Sequence, residues 1–199
     1  MTQAKVRFAN FEEYLAWSDR PENYMEGRYE LVDGELVQLP LESELNGAIV
    51  IFLMFELAAV GISRRLLRPY QCEVQVPVLQ PRDAQNRIPD LVVLREEHLD
   101  LLTTRTTITS EMPPPRMIVE VASPGRRNQE RDYDRKLAQY EAIGVEEYWI
   151  ADPAQGMVTA FKLEQGSYVK VGEFRGGEEV PCGTCPALTL TAERILRAG

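Results

Sequence analysis

Asp90, Glu120 and Lys136 have the side-chain types for one piece of chemistry: two carboxylates to hold a hard divalent cation, and an ammonium to work beside it. Asp90 follows Pro89 in "IPDLVVLR", Glu120 is the one charged residue of "MIVEVASPG", and Lys136 lies in "QERDYDRKLAQYEAIG". An ionised carboxylate inside an apolar strand is costly unless it is paired or binds a metal. Two carboxylates about 4 Å apart repel by roughly 4 kcal/mol at an effective dielectric near 20. A divalent cation between them reverses that sign. Oxygen ligands of this kind suit Mg²⁺ or Mn²⁺, which polarise a phosphoryl oxygen and lower the pKa of bound water.

Each residue also has a plainer reading. Asp90 after proline can cap a turn at a strand start. Glu120 can sit at an exposed strand end or pair with Arg116, and Lys136 can pair with Asp132 one helical turn before it. Position 122, where a lysine would stand two residues beyond the glutamate, is Ala122. The combination of the three, more than any one of them, points to a site.

The elements that must position these residues follow from periodicity. "IPDLVVLR" and "RMIVEVA" are short apolar runs of the kind that form central strands. "QERDYDRKLAQYEAIG" is a helix with Tyr133, Leu137, Tyr140 and Ile143 on one face and Gly144 as its C-terminal cap. "VEEYWIADP" is a third strand. Upstream, "NFEEYLAW" is a short helix capped by Asn10, and "GRYELVDGELVQLP" is a hairpin turning at Asp33-Gly34. Residues 43 to about 60 form a buried helix between Ser43 and Gly61. "YQCEVQVPVLQ" alternates as a strand, and residues 96 to 115 are a polar, threonine-rich loop ending in "MPPP". A hairpin turning near Gln165-Gly166 and a terminal helix in "LTAERILRA" complete an α/β (α+β) chain, read as a single domain over residues 1–199 with a mixed sheet.

Composition narrows the function. A net charge of −9 argues against a broad basic surface for gripping nucleic acid and leaves room for a local groove alone. No apolar run reaches the roughly 20 residues of a membrane span, and the N-terminus lacks a signal core, so a cytoplasmic protein is expected. Cys72, Cys182 and Cys185 make no disulfide framework. "CGTC" is flanked by Pro181 and Pro186 in a loop, and His98 is the single histidine, which disfavours a structural zinc.

"YELVDGELVQLP", "IPDLVVL", "MIVEVASPG", "DYDRKLAQY" and "GVEEYWIADP" occur in the order that resembles the Uma-two family of restriction-endonuclease-like proteins, within the PD-(D/E)XK nuclease superfamily. The resemblance covers about residues 28–190. It implies a mixed β-sheet flanked by helices, with an N-terminal β-hairpin. It further implies a metal site of Asp90 and Glu120, and a catalytic lysine moved from position 122 to the next helix as Lys136. An upstream acid is implied too; among Glu30, Glu35, Glu44 and Glu56 the choice is Glu30. Residues 45–47, Leu-Asn-Gly, depart from the family pattern, which places a histidine after the hairpin.

The activity so implied is Mg²⁺- or Mn²⁺-dependent endonucleolytic hydrolysis of DNA, with a homodimer as the plausible assembly. The alternative is a non-catalytic binding or regulatory module that keeps the fold, with Asp90, Glu120 and Lys136 as a structural ion-pair network. Gln71 and Glu73 are further candidates for the same cleft, and Arg126 and Arg127 for phosphate contacts.

Overall fold

The computed structural model describes residues 6–125 and 131–199, the side chains of Arg131 and Asp132 excepted. Arg126 and Arg127 lie outside the described residues, as does any pairing of the Asp132 side chain. Helix α1 (Phe11–Ser18) starts where Asn10 accepts the Glu13 N–H, and packs over the hairpin of β1 (Tyr29–Val32) and β2 (Glu35–Gln38). Val32 pairs directly with Glu35, so Asp33 and Gly34 alone make the turn, at φ values of 50° and 79°. Both central residues of this turn type need positive φ, which aspartate tolerates and glycine favours.

Helix α2 (Glu44–Ala59) begins where Ser43 accepts the Asn46 N–H, and buries Ile49, Val50, Leu53 and Leu57 against the main sheet. Full burial of each such side chain contributes about 1.5–3 kcal/mol. Its other face is exposed at Ile51 and Phe55, so the helix is half buried despite its apolar composition. Among the described residues the main sheet has six strands in the order β11-β10-β9-β8-β6-β3. These are β3 (Leu67–Pro69), β6 (Leu91–Val93), β8 (Met117–Val121), β9 (Glu147–Asp152), β10 (Met157–Glu164) and β11 (Ser167–Arg175). β8 and β9 run parallel and the other neighbours antiparallel, so the sheet is mixed.

Parallel neighbours need a crossover, and here it carries a π-helical turn (Arg131–Lys136) running into α3 (Leu137–Ile143). Gly144 ends α3 at φ 84°, in the left-handed conformation. The sheet is thus covered on one face by α2 and the C-terminal helix α4 (Ala192–Arg197), and on the other by α3. Along β8, Met117, Val119 and Val121 point to the α2 side, whereas Ile118 and Ala122 point to the α3 side. Alternation therefore puts Glu120 under α3.

Two expectations change. "YQCEVQVPVLQ" yields only β4 (Glu73–Gln75), in a separate three-stranded sheet with β5 (Asn86–Arg87) and β7 (Thr107–Ile108), not in the main sheet. Residues 96–115 are not one loop. They contain a helical turn, His98–Leu101, and β7, which pairs parallel with β4. Two-residue pairings carry too little periodicity to show in a sequence. No helix among the described residues is long and apolar enough to cross a membrane.

Candidate active site

β6 and β8 are antiparallel, with Leu91 opposite Val119. Continuing that register by one residue sets Asp90 against Glu120. The Val121 N–H donates to Asp90 Oδ2 at 2.7 Å, fixing the aspartate to the end of β8. Burial, and then the charge of Glu120, hold the Asp90 carboxyl well above its ordinary range, while Lys136 pulls the other way. Asp90, Glu120 and Lys136 are 6%, 2% and 7% exposed, so all three have left bulk water.

The helix grips Glu120 from above. Lys136 Nζ lies 2.7 Å from Glu120 Oε2, and the Tyr140 hydroxyl donates to Oε1 at 2.8 Å. Lys136 and Tyr140 are one helical turn apart and therefore share a face. Lys136 closes the π-helical turn, a feature that re-phases a helix and recurs at functional sites. Ala122 stands on the same strand face as Glu120, in the cluster with Tyr140 and Ile118. Its methyl group leaves that face to the helix. The cation thus comes from α3's start instead of from the strand. Glu120 does not pair with Arg116, which instead donates to the Thr184 carbonyl.

Glu30, on β1, lines the same cavity of about 110 Å³ as Asp90, Glu120 and Lys136. Arg87 Nη1 lies 2.9 Å from its Oε2, and Arg87 Nε donates to Gln139 Oε1 at 2.8 Å. Gln139 in turn donates to the carbonyls of Pro77 and Ala84. Glu30 is therefore tied through β5 to α3, the helix that carries Tyr140. The other upstream acids lie elsewhere: Glu35 pairs with Arg7, Glu44 is exposed, and Glu56 sits 3.7 Å from Arg194.

Sequence reasoning missed Glu42, Arg28 and Asn46. Glu42 and Arg28 line the cavity, and Arg28 Nη2 lies 2.8 Å from Glu42 Oε1. The charge of Glu42 adds to the upward push on Asp90. Asn46, in the "LNG" stretch, is buried and donates to Ser123 Oγ at 3.3 Å and the Val121 carbonyl at 3.5 Å. The departure at "LNG" was itself the signal, whereas Glu42 follows a proline loop with no periodicity to mark it. Gln71 and Glu73 do not join this cavity; both line a neighbouring one. Glu73 is not solvent-facing either, since it accepts from Asn86 at 2.6 Å and Thr107 at 2.7 Å. "CGTC" is a loop held by the buried Glu147, which accepts the N–H groups of Gly183 and Thr184. Burial pushes the Cys182 thiol up to about 12, so it is an inert thiol at neutral pH.

Among the described residues, no three histidine, cysteine or carboxylate side chains are grouped as a metal cage. What the cavity holds is the Asp90 and Glu120 pair, with Glu30 and Glu42 on its walls, each held by an arginine. The donor set is hard oxygen, and a carboxylate oxygen that accepts one hydrogen bond still has a lone pair to give. Two protein ligands with the rest supplied by water and substrate is an arrangement Mg²⁺ accepts.

The fold is one shared with nuclease-like proteins. A crystal structure described as a putative nuclease belonging to DUF820 from Anabaena variabilis superposes with a TM-score of 0.66, covering 98% of this chain and 99% of the other at 16% identity. No curated protein matches the chain. The Uma2 family profile, described as "Putative restriction endonuclease", matches residues 11–193. The chain belongs to the Uma2 family.

Proposed function

We propose that this protein is a metal-dependent nuclease that hydrolyses phosphodiester bonds in DNA, with Asp90 and Glu120 as ligands for Mg²⁺ or Mn²⁺ and Lys136 as the catalytic ammonium. The observation that carries it is a buried acid pair with one lysine between helix and strand. A second carboxylate set against the Lys136–Glu120 pair adds repulsion that a bound divalent cation would relieve. When bound, the cation would supply charge to the phosphoryl oxygen and acidify a water.

The chain's own residues do the rest. Val121 N–H holds Asp90 in one orientation. Tyr140 fixes Glu120 so that its carboxylate cannot rotate away from the cavity. Lys136 orients the attacking water and balances the charge that develops on the phosphate. Glu30, anchored by Arg87, closes the acidic wall. The competing reading, a non-catalytic module, draws on one observation: both oxygens of Glu120 already accept from Lys136 and Tyr140.

Calorimetric titration with Mn²⁺ separates the two. The nuclease reading predicts saturable heat for the wild type and its loss in Asp90→Asn. Equal, negligible heats in both proteins would sink it.

A further inference from the structure

We propose that the cavity beside the carboxylate site receives an unpaired nucleobase, so that the strand this protein acts on is single-stranded. The inference rests on the nuclease reading and names its substrate class. The second cavity measures about 380 Å³, and its walls include Tyr14, Tyr24, Tyr29, Tyr70, Arg28 and Arg105. Arg28 and Ile88 line both cavities, so one arginine separates them. A strand with a phosphate over Asp90 and Glu120 would pass Arg28 and leave its neighbouring base among the tyrosines.

Three observations fit a stacked base. Tyr24 is 82% exposed, a large ring held at the surface with no burial to account for it. Tyr70 has φ 55°, a left-handed conformation that a bulky residue adopts at a steric cost. Its N–H bonds the Asp90 carbonyl at 3.0 Å and its hydroxyl donates to the Asn46 carbonyl at 3.2 Å, which locks the ring between the two sites. The guanidinium of Arg28 lies over the Tyr70 ring at 5.1 Å, and that of Arg105 over the Tyr14 ring at 6.0 Å. Aromatic rings and arginine planes are the platforms on which unpaired bases stack, whatever the sequence.

Access and charge disfavour the duplex. The carboxylates and Lys136 are at most 7% exposed, around a cavity of about 110 Å³. Duplex DNA is stiff, with a persistence length of about 50 nm, so seating one of its phosphates in such a recess costs deformation energy. An unpaired strand lacks that stiffness. A net charge of −9 also leaves little basic surface for the two backbones of a duplex, whereas an unpaired strand draws part of its affinity from base stacking.

The test is fluorescence anisotropy in EDTA, where nothing is cut. The probes are a labelled oligothymidylate, an abasic strand of the same length, a duplex of the same length and an oligouridylate. The wild type should hold oligothymidylate at least about tenfold more tightly than the abasic strand or the duplex. Tyr24→Ala should weaken it by roughly 5- to 100-fold, and Tyr24→Trp should retain it. Tyr24 is exposed, so neither variant threatens the fold. A parallel loss with oligouridylate means the base is read whatever the sugar, and a loss confined to one polymer names the strand. Unchanged oligothymidylate affinity in Tyr24→Ala, or equal affinity for the abasic strand or the duplex, would overturn the proposal. Cleavage is scored separately. Tyr24-dependent binding without any cutting in Mn²⁺ would remove the nuclease and leave the base site. Cutting of single strands by Tyr24→Ala at wild-type KM would remove the base site and leave the nuclease.

Discussion

Lys136 and Glu120 form a buried pair, and such pairs are fragile in a specific way. Removing one partner strands the other charge, at about 3–5 kcal/mol, whereas removing both costs far less. Lys136→Met should therefore lower the urea unfolding free energy by that amount, and Lys136→Met with Glu120→Gln should recover most of it. Additive losses in the double variant would show that the two do not interact in solution. The pairing itself was only half legible. The type of each residue, and a lysine displaced from Ala122 to the next helix, could be read from spacing and resemblance. Tyr140 read as part of an apolar stripe, because a sequence does not show that a tyrosine's hydroxyl end reaches a carboxylate. Arg87 and Gln139 gave no signal, since their contacts join segments 52 residues apart.

At the scale of elements, the two positive-φ turns that flank the site should respond differently to the same substitution. Gly144→Ala places a methyl group 3.8 Å from the nearest atom, on Pro114, so only the left-handed backbone is penalised, at about 1 kcal/mol. Gly34→Ala drives a methyl group to 2.6 Å from the Phe8 carbonyl oxygen, and should cost clearly more. Chemical denaturation of the two variants checks the order. His98 gives a pH prediction for the segment before β7. Its Nδ1 accepts the Arg95 N–H at 2.9 Å and its Nε2 lies 2.8 Å from the Pro113 carbonyl, so the ring is neutral. Burial lowers its pKa, with Arg95 helping and the Pro113 carbonyl and Glu97 opposing. The unfolded chain then takes up the proton first. Stability is full above about pH 6.5 and is lost as pH falls below it, by up to about 1.4 kcal/mol per unit. His98→Phe should remove this contribution, read as the difference between its urea midpoints and those of the wild type from neutral to mildly acid pH. The length of its apolar run made α2 legible from sequence, and short apolar runs between turn formers made β8 and β9 so. β3, β5 and β7 were not, because two or three residues define no period.

At the scale of the molecule, the chain places a buried acid pair at the junction of a mixed sheet and a crossover helix, and keeps an overall charge of −9. Binding to nucleic acid should therefore depend on few phosphate contacts and show a shallow salt dependence, since the slope scales with the number of phosphates neutralised. A steep dependence would mean that many phosphates are neutralised at once. The central claim is that Asp90, Glu120 and Lys136 act together on a phosphodiester bond. Its most direct test is cleavage of single-stranded DNA in Mn²⁺ by the wild type, Asp90→Asn and Lys136→Met, each confirmed as folded. The account predicts cutting by the wild type, abolished by EDTA, and a loss of at least about a hundredfold in both variants. Absence of cutting by the wild type, or undiminished cutting by Lys136→Met, would contradict it.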